Sequence, residues 1–191
     1  MKVGLFFGSF NPIHIGHLII ANILYEYTSL NEVWFIISPQ NPHKRNSKSL
    51  IHEFDRIDMV ELAIEDQPHF KAVDIEFNMP KPNFTIDTMM YLKDRYKDYE
   101  FILIIGEDNL ASFSRWKNYK IILENFGLMV YPRPNVQESE IKNHPNVKMV
   151  NAPLIDVSAS FVRKCIRDNK SVKYLVTDKV YQFIRDRKLY I

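Results

Sequence analysis

This sequence predicts an α/β architecture, a mostly parallel sheet with helices on both faces, from three observations. Apolar strand-like runs recur at 2–7, 32–37, 70–76, 100–105, 126–131 and 147–150. Helical periodicity occupies the gaps, at 15–28, 53–66, 85–97, 107–124 with a break, 158–168 and 177–188. Strand and helix therefore alternate, and parallel strands joined by helical crossovers are covered on both faces. Ligands in such open sheets bind beyond the carboxyl ends of the strands, near the switch point. Gly8, Ser38-Pro39, Gly106 and Pro132 all follow predicted strands and fall on that edge.

The first strand runs into Gly8-Ser9-Phe10-Asn11-Pro12-Ile13-His14-Ile15-Gly16-His17, and that stretch leads into the first helical pattern. A strand, a tight turn and a helix N-terminus make an anion site, because the helix presents unpaired N–H groups and a positive dipole end. Gly8 lets backbone approach a ligand, Pro12 stiffens the turn, and Gly16 permits close approach where the helix begins. His14 and His17, three apart, share one face of the first turn. As zinc ligands they would need one or two further donors, and no nearby Cys or acidic residue supplies them. A polyphosphate site with two imidazoles aimed at it is the reading these residues support.

The second strand opens into residues 38–52, which are polar, basic and rich in turn formers. Thr85 precedes the periodic run at 85–97 and can cap it. Gly106 and Asp108 end the fourth strand and open a helix, where an acidic side chain suits the dipole. Pro132, Pro134 and Pro145 make 132–146 an irregular connection. The helix that begins at Ser158 has no acidic residue in its first turn, and places Arg163 and Lys164 where the dipole disfavours cations. An anion bound at this N-terminus relieves that conflict.

Composition sets the outer limits. The chain has 191 residues, enough for one domain (1–191) with a substantial core, and 46% of them are hydrophobic. A net charge of +2 is too small for general nucleic-acid binding. Cys165 is the only cysteine, so no intrachain disulfide forms and a reducing cytoplasm is expected. No segment approaches the ~20 apolar residues that cross a bilayer, so no membrane partner is expected.

Residues 8–18 carry the His-x-Gly-His signature of the nucleotidylyltransferase superfamily. Pro42-His43-Lys44, Thr85-Ile86-Asp87-Thr88, Ile105-Gly106-Glu107-Asp108, Trp116 and Val157-Ser158-Ala159-Ser160-Phe161-Val162-Arg163 then follow in order. From end to end the chain resembles the bacterial nicotinate-nucleotide adenylyltransferases. The resemblance implies a Rossmann-like, doubly wound sheet and transfer of AMP from ATP to nicotinate mononucleotide, with Mg²⁺ carried on the ATP phosphates; nicotinamide mononucleotide or phosphopantetheine as the acceptor, or nucleotide binding without catalysis, are the alternatives. It implies His14, His17, Lys44 and Arg163 as catalytic residues, and Gly8, Ser9, Phe10, Gly106, Asp108, Ser158 and Ser160 as contacts to ATP. Asp108 would accept a ribose hydroxyl. Ser9 and Lys44 would meet the mononucleotide phosphate, Thr85 the nicotinate carboxylate, and Trp116 would stack on the pyridine ring. Assembly into a homo-oligomer stays open. Two positions depart from the family pattern: Ala159 and Ser160 stand where Ser and Thr are usual, and Lys117 where an aromatic residue is common.

Overall fold

The computed structural model describes residues 1–39 and 50–191. Lys44, with Pro42 and His43, lies outside the described residues. The elements follow in the order β1 (Lys2–Gly8), α1 (Ile15–Tyr27), β2 (Glu32–Ile37), α2 (Glu53–Ile64), β3 (Phe70–Val73), α3 (Thr85–Arg95), β4 (Glu100–Gly106), α4 (Glu107–Leu110), α5 (Tyr119–Asn125), β5 (Leu128–Tyr131), β6 (Val147–Met149), α6 (Ala159–Arg167) and α7 (Asp178–Asp186). The six strands form one sheet in the order β3-β2-β1-β4-β5-β6, and every pairing is parallel. Chain order reverses between β1 and β4, which is where a doubly wound sheet opens a crevice.

Period-two alternation along the strands builds two cores. Phe6, Val33, Phe35, Ile37, Ile104 and Met129 face one side, where Ile20 and Leu24 of α1, Met59 and Val60 of α2, Val162 of α6 and Val180 of α7 cover them. Val3, Leu5, Trp34, Ile36, Leu103, Ile105, Leu128 and Val130 face the other, under Met89 and Leu92 of α3 and Ile122 and Leu123 of α5. These runs are apolar on both faces because both faces are buried.

Two elements differ from the periodicity. The run at 70–76 stops being strand at Val73, and Ile75–Asn78 forms a 3₁₀ turn that carries Glu76 inward. The break expected within 107–124 separates α4 from α5, with a 3₁₀ turn at Phe113–Arg115 and Asn118 in the left-handed region at φ 53°.

Candidate functional site

Beyond the carboxyl ends of β1 and β4 lies a cleft of about 800 Å³, a volume suited to a bound nucleotide. Gly8, Ser9, Phe10, His14, His17, Thr85, Gly106, Asp108, Trp116, Ser158, Ser160 and Arg163 all line it. The fold thus brings together every expected site residue that lies among the described ones.

The turn after β1 is built from the core outward. Phe10 sits in the left-handed region at φ 42°, and its ring is buried against Phe6, Phe35 and His17. That side chain belongs to the core. A Cβ on Gly8 would stand 2.8 Å from the Phe10 ring, which is why glycine occupies that position. His14 caps α1 in extended conformation, and its backbone N–H donates to His17 Nδ1 at 3.3 Å. With Nδ1 accepting, a neutral His17 carries its proton on Nε2 as a donor. The two imidazoles stack, centroids 3.7 Å apart and planes 25° apart.

Both imidazoles are held neutral. Burial, reinforced by the nearby Arg133, pushes His14 down to about 4. Burial, then the His14 ring and Arg133, hold His17 well below the ordinary value of 6.5. The unfolded chain therefore takes up a proton at His14 as pH falls through 6.5, whereas the folded chain resists until near 4, and His17 acts in the same direction. This contribution to stability is complete above pH 6.5 and is lost progressively as the pH falls toward 4. The melting temperature of the ligand-free protein should drop over that window, and less steeply in His14→Asn. Equal slopes would mean that His14 charges freely in the native state.

The start of α6 faces the same space. Ser158 Oγ accepts from the Phe161 N–H at 3.2 Å, and no acidic residue follows in the first turn. Arg163 reaches across: Nη1 donates to the Asn11 carbonyl at 2.7 Å and Nη2 to Ser160 Oγ at 3.1 Å. Among the described residues its buried Nε has no hydrogen-bond partner. Tyr190 also reaches the turn, its hydroxyl donating to Asn11 Oδ1 at 2.9 Å.

At the sheet's other half, Gly106 gives way to α4. A Cβ there would collide with the Asp108 carboxylate and approach the Tyr131 ring and Arg133 to 3.1 and 3.2 Å. Arg133 lies 3.7 Å from Asp108 and donates to the Ile155 carbonyl at 3.1 Å. The sequence reading stopped at Pro132 and missed Arg133, although Pro132-Arg133-Pro134 follows a strand on the ligand edge.

Thr85 is the first residue of α3, and Phe84 rather than Thr85 occupies the cap position. Trp116 is partly buried, 5.3 Å from Phe113, and lines the cleft. Lys117 turns away from it to pair with Asp87 at 2.8 Å and to lie over the Phe84 ring at 4.6 Å. The family's aromatic position thus becomes a tie between the Trp116 segment and α3. Glu76, overlooked in the sequence, is buried in the cleft wall and accepts from the Thr88 hydroxyl at 2.8 Å. Burial raises its carboxyl above the ordinary carboxylate value.

Among the described residues no group of three or more His, Cys, Asp or Glu could hold a metal ion. No helix among them is long and apolar enough to cross a membrane.

Comparison with known proteins gives a consistent picture. The model of the cytidylyltransferase-like family matches residues 5–165. A curated protein from Cytophaga hutchinsonii, named a probable nicotinate-nucleotide adenylyltransferase, is 54% identical over 100% of this chain and 98% of its own length. A protein of the same name from Bacteroides thetaiotaomicron is 40% identical, over 97% of this chain and 92% of its own. The solved structure of Plasmodium falciparum nicotinic acid mononucleotide adenylyltransferase complexed with NaAD shares the fold. Its TM-score is 0.81 at 20% identity, covering 99% of this chain and 97% of that one.

Proposed function

The chain belongs to the cytidylyltransferase-like family, and on that premise we propose that it transfers AMP from ATP to nicotinate mononucleotide. The products are nicotinate adenine dinucleotide, the step's contribution to NAD biosynthesis, and pyrophosphate. Relatives of that name match the chain end to end. The observation that carries the reading is one cleft holding two helix starts suited to phosphate, a stacked pair of neutral imidazoles, and an indole. Residues 1–191 act in it as one domain, and a cytoplasmic enzyme is implied.

The chemistry asks little covalent work of the protein. The acceptor's phosphate monoester is largely ionised at neutral pH, with a second pKa near ~6. One of its oxygens bonds to the α-phosphorus of ATP. The bond from that phosphorus to the bridging oxygen breaks, and pyrophosphate leaves with the electron pair. Catalysis then consists of positioning and of stabilising charge on the phosphoryl oxygens.

His17 Nε2–H and the His14 ring serve the α-phosphate as neutral donors. Arg163 and the Ser158–Ser160 helix start hold the outer phosphates that leave. Gly106 and Asp108 receive the adenosine, Ser9 the acceptor phosphate, and Thr85 and Trp116 the pyridine ring and its carboxylate. Nucleotidyltransferases of this family generally use a divalent metal. A donor set of N–H groups, hydroxyls and guanidinium fits an anionic triphosphate, and so fits Mg²⁺ arriving on ATP. When bound, the ion neutralises part of the triphosphate charge.

Incubating the protein with ATP, Mg²⁺ and each acceptor while measuring pyrophosphate tests this assignment. The kcat/KM for nicotinate mononucleotide should exceed that for the nicotinamide form by on the order of 10² or more, since a site built for one hydrogen-bonding pattern rejects its mismatch. Comparable values would overturn the substrate, and no pyrophosphate with any acceptor would make the protein a nucleotide-binding module.

A further inference from the structure

We infer that Arg56 is a positioning residue for phosphate binding, buried behind the nucleotide turn and aiming the Phe10 N–H into the cleft. The inference rests on the reading of that cleft as a phosphate site. Arg56 sits on the inward stripe of α2 with Met59, Val60 and Ile64, and is 0% exposed. Nη1 donates to the Ser9 carbonyl at 2.7 Å and to the Ser38 carbonyl at 2.8 Å. Nη2 donates to the Pro39 carbonyl at 3.2 Å, and Nε to the Ile51 carbonyl at 3.2 Å. One guanidinium thus ties the turn after β1 to the turn after β2.

Its effect on the ligand follows from peptide geometry. In a planar trans peptide the carbonyl and the following N–H point in opposite directions. Ser9 and Phe10 line the cleft, whereas Arg56 does not. Drawing the Ser9 carbonyl back onto Arg56 therefore turns the Phe10 N–H the other way, toward the ligand. Among the described residues that N–H meets no backbone acceptor. The bonds to Arg56 also help hold Phe10 in its left-handed conformation.

Charge adds to the effect. All four bonds run to carbonyls, and among the described residues Arg56 forms no ion pair. A buried cation with no ion pair is only partly compensated, Glu53 acting on it from a distance, and leaves a positive potential behind the turn that a phosphate offsets.

Titration calorimetry on Arg56→Gln and Arg56→Lys, with ATP and with adenosine and no acceptor present, tests the role. Arg56→Gln should weaken ATP by roughly 10- to 100-fold, the range for loss of one or two charge-assisted contacts. Adenosine, which has no phosphate, should stay within about threefold of wild type. Arg56→Lys keeps the charge without the fork and should fall between. Equal losses for both ligands would make Arg56 a general structural residue, and unchanged ATP affinity would remove it from the site. Should the Gln variant not fold, the Lys variant carries the same comparison. Wild-type turnover measured alongside separates the two claims. A wild type that makes no dinucleotide, with the ATP-specific loss intact, would sink the reaction assigned above and leave this role standing.

Discussion

His17→Ala is expected to cut adenylyl transfer by on the order of 10²–10³ in kcat, the usual cost of losing one preorganised donor at a developing charge. The donor is Nε2–H, because Nδ1 already accepts from the backbone of His14. Neutrality matters to this assignment. A neutral imidazole donates from one nitrogen only, so the capping bond dictates which edge meets the phosphate. Removing the ring also removes that bond, and losing a helix cap costs about 1 kcal/mol. A fall of roughly 2–4 °C in melting temperature should accompany the lost activity in a chain of this size. Pyrophosphate release and a melting curve on the purified variant check both figures. Unchanged turnover would take the imidazole out of the mechanism, and gross unfolding would make it a core residue.

The architecture was legible because the four central strands are buried on both faces, which leaves short apolar runs with little polar alternation to confuse them. Boundaries were weaker where a polar side chain turns inward. Glu76 sits in an apolar stretch that reads as continuing β3, yet its carboxyl serves Thr88, and the backbone curls into a 3₁₀ turn to deliver it. Sequence periodicity records burial and carries no information about a hydrogen bond made to another element.

The site divides in the same way. Glycine turns and helix starts announce themselves locally, so Gly8, His14, His17, Gly106 and Ser158 could be found from spacing. Residues that act from the far side of the chain could not. Arg133 enters from the loop after β5, and Tyr190 reaches Asn11 across 179 positions. Arg56 did leave a signal. It occupies the apolar phase of α2, at the spacing of Met59, Val60 and Ile64, where a cation stands only if the interior offers it acceptors. Phe10 shows another limit, because the motif does not tell which part of it is left to the cleft, and its ring packs in the core.

Arg163→Ala should produce the other large effect, and the structure changes what is expected of it without ligand. If α6 holds the outer phosphates of ATP, losing charge-assisted bonds worth roughly 1.5–3 kcal/mol weakens ATP by about 10- to 150-fold. Nicotinate mononucleotide alone should bind almost normally, since its phosphate is assigned to the Ser9 side. From the dipole alone, removing a cation from a positive helix end would leave the free protein unchanged or slightly more stable. The bond from Nη1 to the Asn11 carbonyl reverses that sign. Truncation removes one charge-assisted donor from that carbonyl, at a cost on the order of 1–2 kcal/mol. The melting temperature should therefore fall by a few degrees. Arg163→Lys can restore the charge but not both bonds, so it should recover part of the ATP affinity and less of the stability. Calorimetry with a non-hydrolysable ATP analogue, beside melting curves for both variants, measures the two effects separately. A drop in stability with unchanged nucleotide affinity would make Arg163 a brace for the turn alone. Weakened nucleotide binding with full stability would mean that the Asn11 contact contributes nothing to the free protein.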